Sequence, residues 1–149
     1  MNKNLGIHDL QEEDLSKLPR INQSQRAALE DALLSKKKNP LLSIEYAIYE
    51  NGKLNYMLCS DECNIRPSRD QTEGPAILEW YENGLPERTA YYENAALHRD
   101  PRRGFAIQGF YPNGDVSEER YYWEGHQVNA YFIPPEDRPV ADGLGRVFI

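Results

Sequence analysis

Three times in this chain a tyrosine is followed, after one intervening residue, by an Asn-Gly pair: Tyr49-Glu50-Asn51-Gly52, Tyr81-Glu82-Asn83-Gly84 and Tyr111-Pro112-Asn113-Gly114. The asparagines stand 32 and then 30 positions apart. Recurrence at a period of roughly 20–50 residues marks a repeat architecture. Asn-Gly between two β-rich runs is the strongest short hairpin signal, because a two-residue type I′ turn needs positive φ at both central positions. The spacing therefore predicts three hairpins, each closed by a type I′ turn.

The flanking residues alternate as strands do. Unit one runs Ile44 to Tyr49 and returns through Leu54, Tyr56 and Leu58. Unit two runs Gly74 to Tyr81 and returns through Arg88 to Tyr92. Unit three runs Gly104 to Tyr111 and returns through Glu119 to Trp123. Second turns at Glu93-Asn94-Ala95 and Trp123-Glu124-Gly125 join the hairpins into a meander. Unit one departs from the pattern, with Asp61-Glu62-Cys63 in place of that turn and about two extra residues before Glu73-Gly74. Side-chain alternation places Ile48, Trp80 and Phe110 on one face with Tyr46, Leu78 and Gln108. The other face takes Ala47, Ile77 and Ile107, then Tyr49, Tyr81 and Tyr111.

Residues 9–38 read as two helices. Asp9 and Glu12 form a capping-box pattern before Leu10, Leu15 and Leu18, with Pro19 closing the segment. Asn22 and Gln25 open the second helix. Its Ala28, Leu29, Ala32 and Leu33 make one apolar stripe, and Lys36, Lys37 and Lys38 lie against the negative end of its dipole. From Asn129 the chain is rich in Pro and Gly, and Arg146-Val147-Phe148-Ile149 reads as a last strand packed on its own domain, the alternative being a peptide that adds to a partner's sheet. The expected organisation over 1–149 is one α+β domain. A helical region (1–40) packs on a meandering antiparallel sheet of three hairpin repeats (41–130), and an extended tail (131–149) follows.

Charge narrows the partner. Residues 1–40 carry seven Lys/Arg against six Asp/Glu, and the remainder ten against eighteen. An acidic, aromatic body repels phosphate backbones and anionic headgroups, so nucleic acid is excluded as the expected partner and a protein with a basic surface is favoured. There is no apolar leader and no run long enough to span a bilayer, which predicts a cytoplasmic protein. Cys59 and Cys63, the only cysteines, read as reduced thiols, and neither a metal site nor a cofactor is expected.

No catalytic constellation is legible. His98, beside Arg99 and Asp100, reads as a side chain bonding backbone at a turn. Glu118 and Glu119 are adjacent and point to opposite faces of a strand, so they are no acid–base pair. All ten tyrosines fall between Tyr46 and Tyr131. Tyrosine and tryptophan dominate binding hot spots, and Trp80, Tyr81, Tyr91, Tyr111, Tyr121 and Trp123 are the candidate partner-binding residues.

Gly74-Pro75-Ala76-Ile77-Leu78-Glu79-Trp80-Tyr81-Glu82-Asn83-Gly84, then Tyr91-Tyr92-Glu93-Asn94 and Leu97-His98-Arg99-Asp100, resemble the MORN-variant repeat of bacterial proteins of the YwqK-like antitoxin type. The resemblance covers about residues 44–129. Asn94-Ala95 stands where that pattern has a second Asn-Gly. Arg102-Arg103-Gly104-Phe105 stands where it has Asp-Gly-Pro. The resemblance implies a binding scaffold without catalysis, most concretely an antitoxin or immunity protein that neutralises a partner by stoichiometric binding. An effector or phage-encoded protein that binds a host protein, and a membrane-surface lipid scaffold, are the alternatives.

Overall fold

The three Asn-Gly pairs each close a hairpin of one antiparallel sheet. The computed structural model describes residues 6–61 and 66–138 and, as backbone, 140–141 and 147–148. In chain order the elements are β1 (Ile7–Asp9), a 3-10 helix over Glu12–Lys17, α1 (Gln23–Lys38), β2 (Ser43–Ile48), β3 (Leu54–Ser60), β4 (Ile77–Trp80) and β5 (Pro86–Ala90). There follow β6 (Tyr92–Glu93), β7 (Ala96–Leu97), β8 (Ile107–Phe110), β9 (Val116–Trp123), β10 (His126–Val128), a short 3-10 turn over Pro135–Asp137, β11 (Val140–Ala141) and β12 (Val147–Phe148). Eight strands form the main sheet in the order β1-β2-β3-β4-β5-β8-β9-β10, and β6–β7 and β11–β12 are separate pairs. The class is α+β.

The turn type differs from the one predicted. Only the glycines are left-handed, with φ of +86°, +87° and +97° at Gly52, Gly84 and Gly114; the asparagines before them are not. Each glycine N–H returns to its tyrosine carbonyl at 2.9 Å. Each tyrosine N–H reaches the carbonyl of the residue after the glycine: Lys53 at 2.8 Å, Leu85 at 2.9 Å and Asp115 at 2.7 Å. One tyrosine thus opposes two residues, which is a type I turn followed by a glycine bulge. The asparagine side chain holds this form, because its Oδ1 accepts the N–H two residues on at 2.9 Å in all three units. True two-residue turns with positive φ at both centres occur elsewhere, at Asn94-Ala95 (+51°, +70°) between β6 and β7, and at Glu124-Gly125 (+46°, +83°) between β9 and β10.

Each returning strand carries a second irregularity. Ala47 faces Tyr56 while Ile48 faces Leu54, leaving Asn55 extra, and Glu87 and Ser117 are extra in the same way. Strict alternation would send Leu54 and Met57 to opposite faces. With the inserted residue both reach the core, and both are fully buried.

That core lies between the first half of the sheet and α1. Leu29 and Ala32 of α1 pack with Ile44, Tyr46, Leu54, Met57, Cys59 and Trp80. Asn22 caps α1, its Oδ1 accepting the Gln25 N–H at 2.8 Å. The Gln25 side chain, fully buried, donates to the Leu54 carbonyl at 3.2 Å and accepts the Leu54 N–H at 3.3 Å, so the capping box also docks the helix on β3. Asn22 Nδ2 donates to the Gly84 carbonyl at 3.1 Å, extending the attachment to the second hairpin. Across the helix-facing side, the row Tyr46–Met57–Leu78 continues as Thr89–Gln108–Glu119. The row turns polar where the helix ends, so a single helix suffices as cover.

The expected first helix is replaced by two shorter elements. Asp9 sits in β1 opposite Glu45 rather than capping a helix. The carboxylate that reaches back is Asp14, which accepts the Gln11 N–H at 2.9 Å ahead of a six-residue 3-10 helix. Pro19 leaves too little chain for α-helical turns, yet Leu10 and Leu18 still enter the core. Unit one keeps this backbone contact of its second half: Ser68 N–H bonds the Cys59 carbonyl as His98 N–H bonds that of Tyr91. Cys63 and residues 1–5 lie outside the described residues, as do Arg146 and Ile149 of the predicted final strand. Val147–Phe148 pairs with Val140–Ala141.

Glycine substitutions separate backbone strain from packing. A Cβ at Gly114 would meet nothing within 4 Å, whereas one at Gly52 would lie 2.8 Å from the Arg20 side chain. Gly114→Ala is expected to lose about 1 kcal/mol, from the left-handed backbone alone. Gly52→Ala is expected to lose about 1–3 kcal/mol more from overpacking. Ala95→Gly, which relieves a non-glycine residue at φ +70°, is expected to gain about 1 kcal/mol. Urea unfolding of the three variants checks the ranking.

Candidate functional site

The Tyr-x-Asn-Gly turns also join one unit to the next. The Tyr49 hydroxyl donates to the Trp80 carbonyl at 2.7 Å, and the Tyr81 hydroxyl donates to the Phe110 carbonyl at 2.7 Å. Asn51 Nδ2 donates to the Glu82 carbonyl at 2.8 Å, and Asn83 Nδ2 to the Pro112 carbonyl at 3.2 Å. Each turn therefore reads two carbonyls, two residues apart, in the next hairpin. At the third turn the pattern opens. Tyr111 is 54% exposed, and Asn113 Nδ2 is turned back onto Asp115 at 3.2 Å. From Tyr111 to Arg120 every residue but Glu118 is exposed.

Carboxylates gather along this tyrosine edge. Burial, followed by the nearby charges of Glu87, Glu82 and Glu79, raises the Tyr49 pKa. Burial and Glu87 raise that of Tyr81. On the strands behind, Tyr56 donates to Glu45 at 2.8 Å and is pushed up to about 12, by burial first and the carboxylate second. Arg88 pairs with Glu79 at 2.6 Å.

The six predicted binding residues do not form one patch. Trp80 is 3% exposed and packs in the core beneath α1, so it is a structural residue rather than a surface contact. Its side chain falls in the helix-covered half of the sheet, a fact that strand parity alone does not decide. Tyr81 and Tyr111 lie along the turn edge just described. Tyr91 carries the Arg99 guanidinium 4.0 Å above its ring, and Tyr121 stacks on Phe105 at 4.5 Å. Trp123 lies at the far end of the units, 4.1 Å from the His98 ring and 5.7 Å from Phe132 of the tail.

A cleft of about 490 Å³ beside Trp123 is lined by Gln71, Glu93, His98, Glu124 and Glu136. His98 is 7% exposed, and its groups are committed to the fold. Nδ1 accepts the Glu124 N–H at 3.0 Å, and Nε2 lies 3.7 Å from Glu93. Glu93 in turn accepts the Gln71 N–H at 3.0 Å. Nδ1 thus holds the second turn of unit three, while Nε2 lies between the Gln71 amide, at 3.3 Å, and Glu93. Cys59 is equally committed, since burial pushes its thiol up to about 11 against the opposing pull of Arg69. No group of three His, Cys, Asp or Glu suited to a metal ion occurs among the described residues. No described helix is long and apolar enough to cross a membrane.

Sequence reading overlooked a second repeated device. Arg69 and Arg99 each lie five residues before a glycine, and each donates Nη1 at 3.1 Å to the carbonyl just after it, that of Pro75 and of Phe105. The guanidinium fills the place of a Cβ, which at Gly74 or Gly104 would sit 2.7 or 2.6 Å from Nη1. The Arg-Asp recurrence, 69–70 and 99–100, was the available signal. Asp100 chelates Arg102, which also holds Asp137 at 2.6 Å and so ties the tail to this loop. Comparison of the chain with protein-family models, curated proteins and solved structures finds no match.

Removing the Tyr81 hydroxyl in Tyr81→Phe orphans the Phe110 carbonyl and is expected to destabilise by about 1 kcal/mol. Tyr111→Phe, with no such bond, is expected to be neutral; equilibrium unfolding compares them. Hydrogen bonds from Arg102 lead the causes that lower the Asp100 pKa below its ordinary value. A depressed carboxylate adds stability that is present above the ordinary value and lost as pH falls through the folded one. Asp100→Asn is therefore expected to lower the melting temperature at neutral pH and to flatten its decline below about pH 4, followed by thermal scans across pH.

Proposed function

We propose that this protein is a non-catalytic binding module that neutralises a partner protein by stoichiometric association, in the manner of an antitoxin or immunity protein. One observation carries the reading: a ladder of tyrosines, flanked by Glu79, Glu82 and Glu87, ends in Tyr111 held open to solvent. Tyrosine gives large contact area at low entropic cost, and the surrounding carboxylates favour a basic surface on the partner. The commitment of His98 and Cys59 to structural roles supports binding over catalysis.

The ladder is built for rigidity. Tyr49 and Tyr81 are fixed by hydrogen bonds to the following unit, so the acidic edge is presented without a further ordering cost. A protein whose active cleft is lined by Lys and Arg is the class of partner that such an edge would occlude.

Affinity capture from the native host with the purified protein, followed by calorimetry on the captured partner, tests this. A one-to-one complex is expected, weakened by at least about tenfold when Glu82→Lys and Glu87→Lys are combined and weakened again by added salt. A partner whose affinity ignores both the charge reversal and the salt would refute the acidic edge as its binding ground. Turnover of a small substrate by the purified chain would refute the non-catalytic reading.

A further inference from the structure

The contacts between successive units repeat closely enough to show what the third unit lacks. Within the array an incoming strand satisfies five groups of the unit before it. Two are the tyrosine hydroxyl and the asparagine Nδ2 of the turn. A third is the backbone N–H of Cys59, which takes the Ala76 carbonyl at 2.7 Å, matched by Tyr91 on Ala106 at 2.7 Å. The last two are the backbone groups of the returning strand that face outward, as Thr89 faces Gln108 between β5 and β8. In unit three the turn groups are those of Tyr111 and Asn113 and the outward backbone groups those of Glu119, while Tyr121, the counterpart of Tyr91, is already faced by Val128 of β10. Arg120 turns its carbonyl toward β8, accepting from Ala106 at 2.9 Å, so Glu119 next to it presents its backbone to the opposite side.

Among the described residues nothing pairs with Val116–Arg120 on that side, since β10 reaches only Tyr121–Trp123. The described tail residues Phe132 and Asp137 lie instead against Trp123 and Arg102. Val116 is 46% exposed.

We propose that the outer edge of β9, with Tyr111 and Asn113 at its turn, is a docking site for an extended, basic segment of a partner protein, which adds as the next antiparallel strand. The segment would set one backbone carbonyl on the Tyr111 hydroxyl and a second, two residues on, at Asn113 Nδ2, as Phe110 and Pro112 do for Tyr81 and Asn83. Its charge follows from the edge, where Asp115, Glu118 and Glu119 outnumber Arg120. Glu118 leans on Arg120 at 3.5 Å and Glu119 accepts from Gln108 at 2.7 Å, which leaves a carboxylate surplus for Lys or Arg on the incoming strand. The same surplus opposes a second copy of this chain, because two such edges would bring carboxylate against carboxylate. Strand addition of this kind draws affinity from main-chain bonds and specificity from the side chains opposite.

The inference rests on the protein-binding reading and fails separately from it. The probe is a synthetic peptide with the sequence of residues 104–114 carrying Gln108→Lys, titrated into the full chain by calorimetry. One-to-one binding is expected, weakened about fivefold in Tyr111→Phe, which loses one hydrogen bond. Binding should be abolished in Glu119→Pro, which lacks the outward N–H at a position where edge strands accept proline. Should that variant not fold, the same peptide N-methylated at the residue opposite Glu119 must bind the unaltered protein at least about tenfold more weakly. No binding at millimolar peptide, equal binding of the methylated peptide, or sedimentation of the chain as a dimer or filament through this edge would overturn the proposal. A host partner that binds Glu119→Pro as tightly as the unaltered protein would remove the edge and leave the protein-binding reading standing.

Discussion

A glycine in the left-handed region, one residue after an asparagine that folds onto its own turn, is the constraint from which the rest follows. Because Gly52, Gly84 and Gly114 take positive φ and the asparagines before them do not, the tyrosine before each turn faces two residues and its ring is carried over the hairpin that follows. The hydroxyl then meets a carbonyl at 2.7 Å in both places where a following hairpin exists. A two-residue turn at the same dipeptide would present the asparagine differently and forfeit the bond from its side chain to the next unit. Turn geometry and inter-unit contact are thus one device. The cost of ordering each hairpin is offset by the next one and not by its own small apolar area.

The helix extends that logic to the first two units. Gln25 does two jobs with one amide, closing the capping box of α1 and pairing with both backbone groups of Leu54. Asn22 likewise caps the helix and reaches Gly84. The side chains that start the helix are therefore the ones that place it on the sheet. Its apolar stripe covers Tyr46, Met57 and Leu78, and the sheet needs no cover beyond, because Thr89, Gln108 and Glu119 continue the row in polar residues. The tyrosine edge runs along the turns of all three units, and β9 lies in the half the helix leaves uncovered.

Legibility in the sequence followed how local each determinant is. The hairpins, the second helix with its cap at Asn22, and the strand faces were readable because turn chemistry and periodicity act over a few residues. The first helix was misread: Leu10, Leu15 and Leu18 are apolar for the core, but Ile7–Asp9 gains more by pairing with β2 than the short stretch before Pro19 gains by helix formation. Trp80 was misassigned to the surface because parity tells which residues share a face and not which face is covered. The bulged residues Asn55, Glu87 and Ser117 left no mark in composition, and without them the burial of both Leu54 and Met57 has no explanation. For the candidate site, the tyrosines were visible as a ladder, while the open state of the third was not.

By itself the sequence determined the number of hairpins, their order, the cap and extent of the main helix, and the acidic character of the aromatic region. All of these depend on dihedral preference, side-chain period and charge, which are properties of neighbouring residues. Only the tertiary structure decided the turn type, the face that α1 covers, the burial of Trp80, and the engagement of Tyr49 and Tyr81 with Tyr111 left free. These depend on which carbonyl or side chain arrives from some thirty residues away, and a contact at that distance is fixed by packing the units together rather than by any one of them.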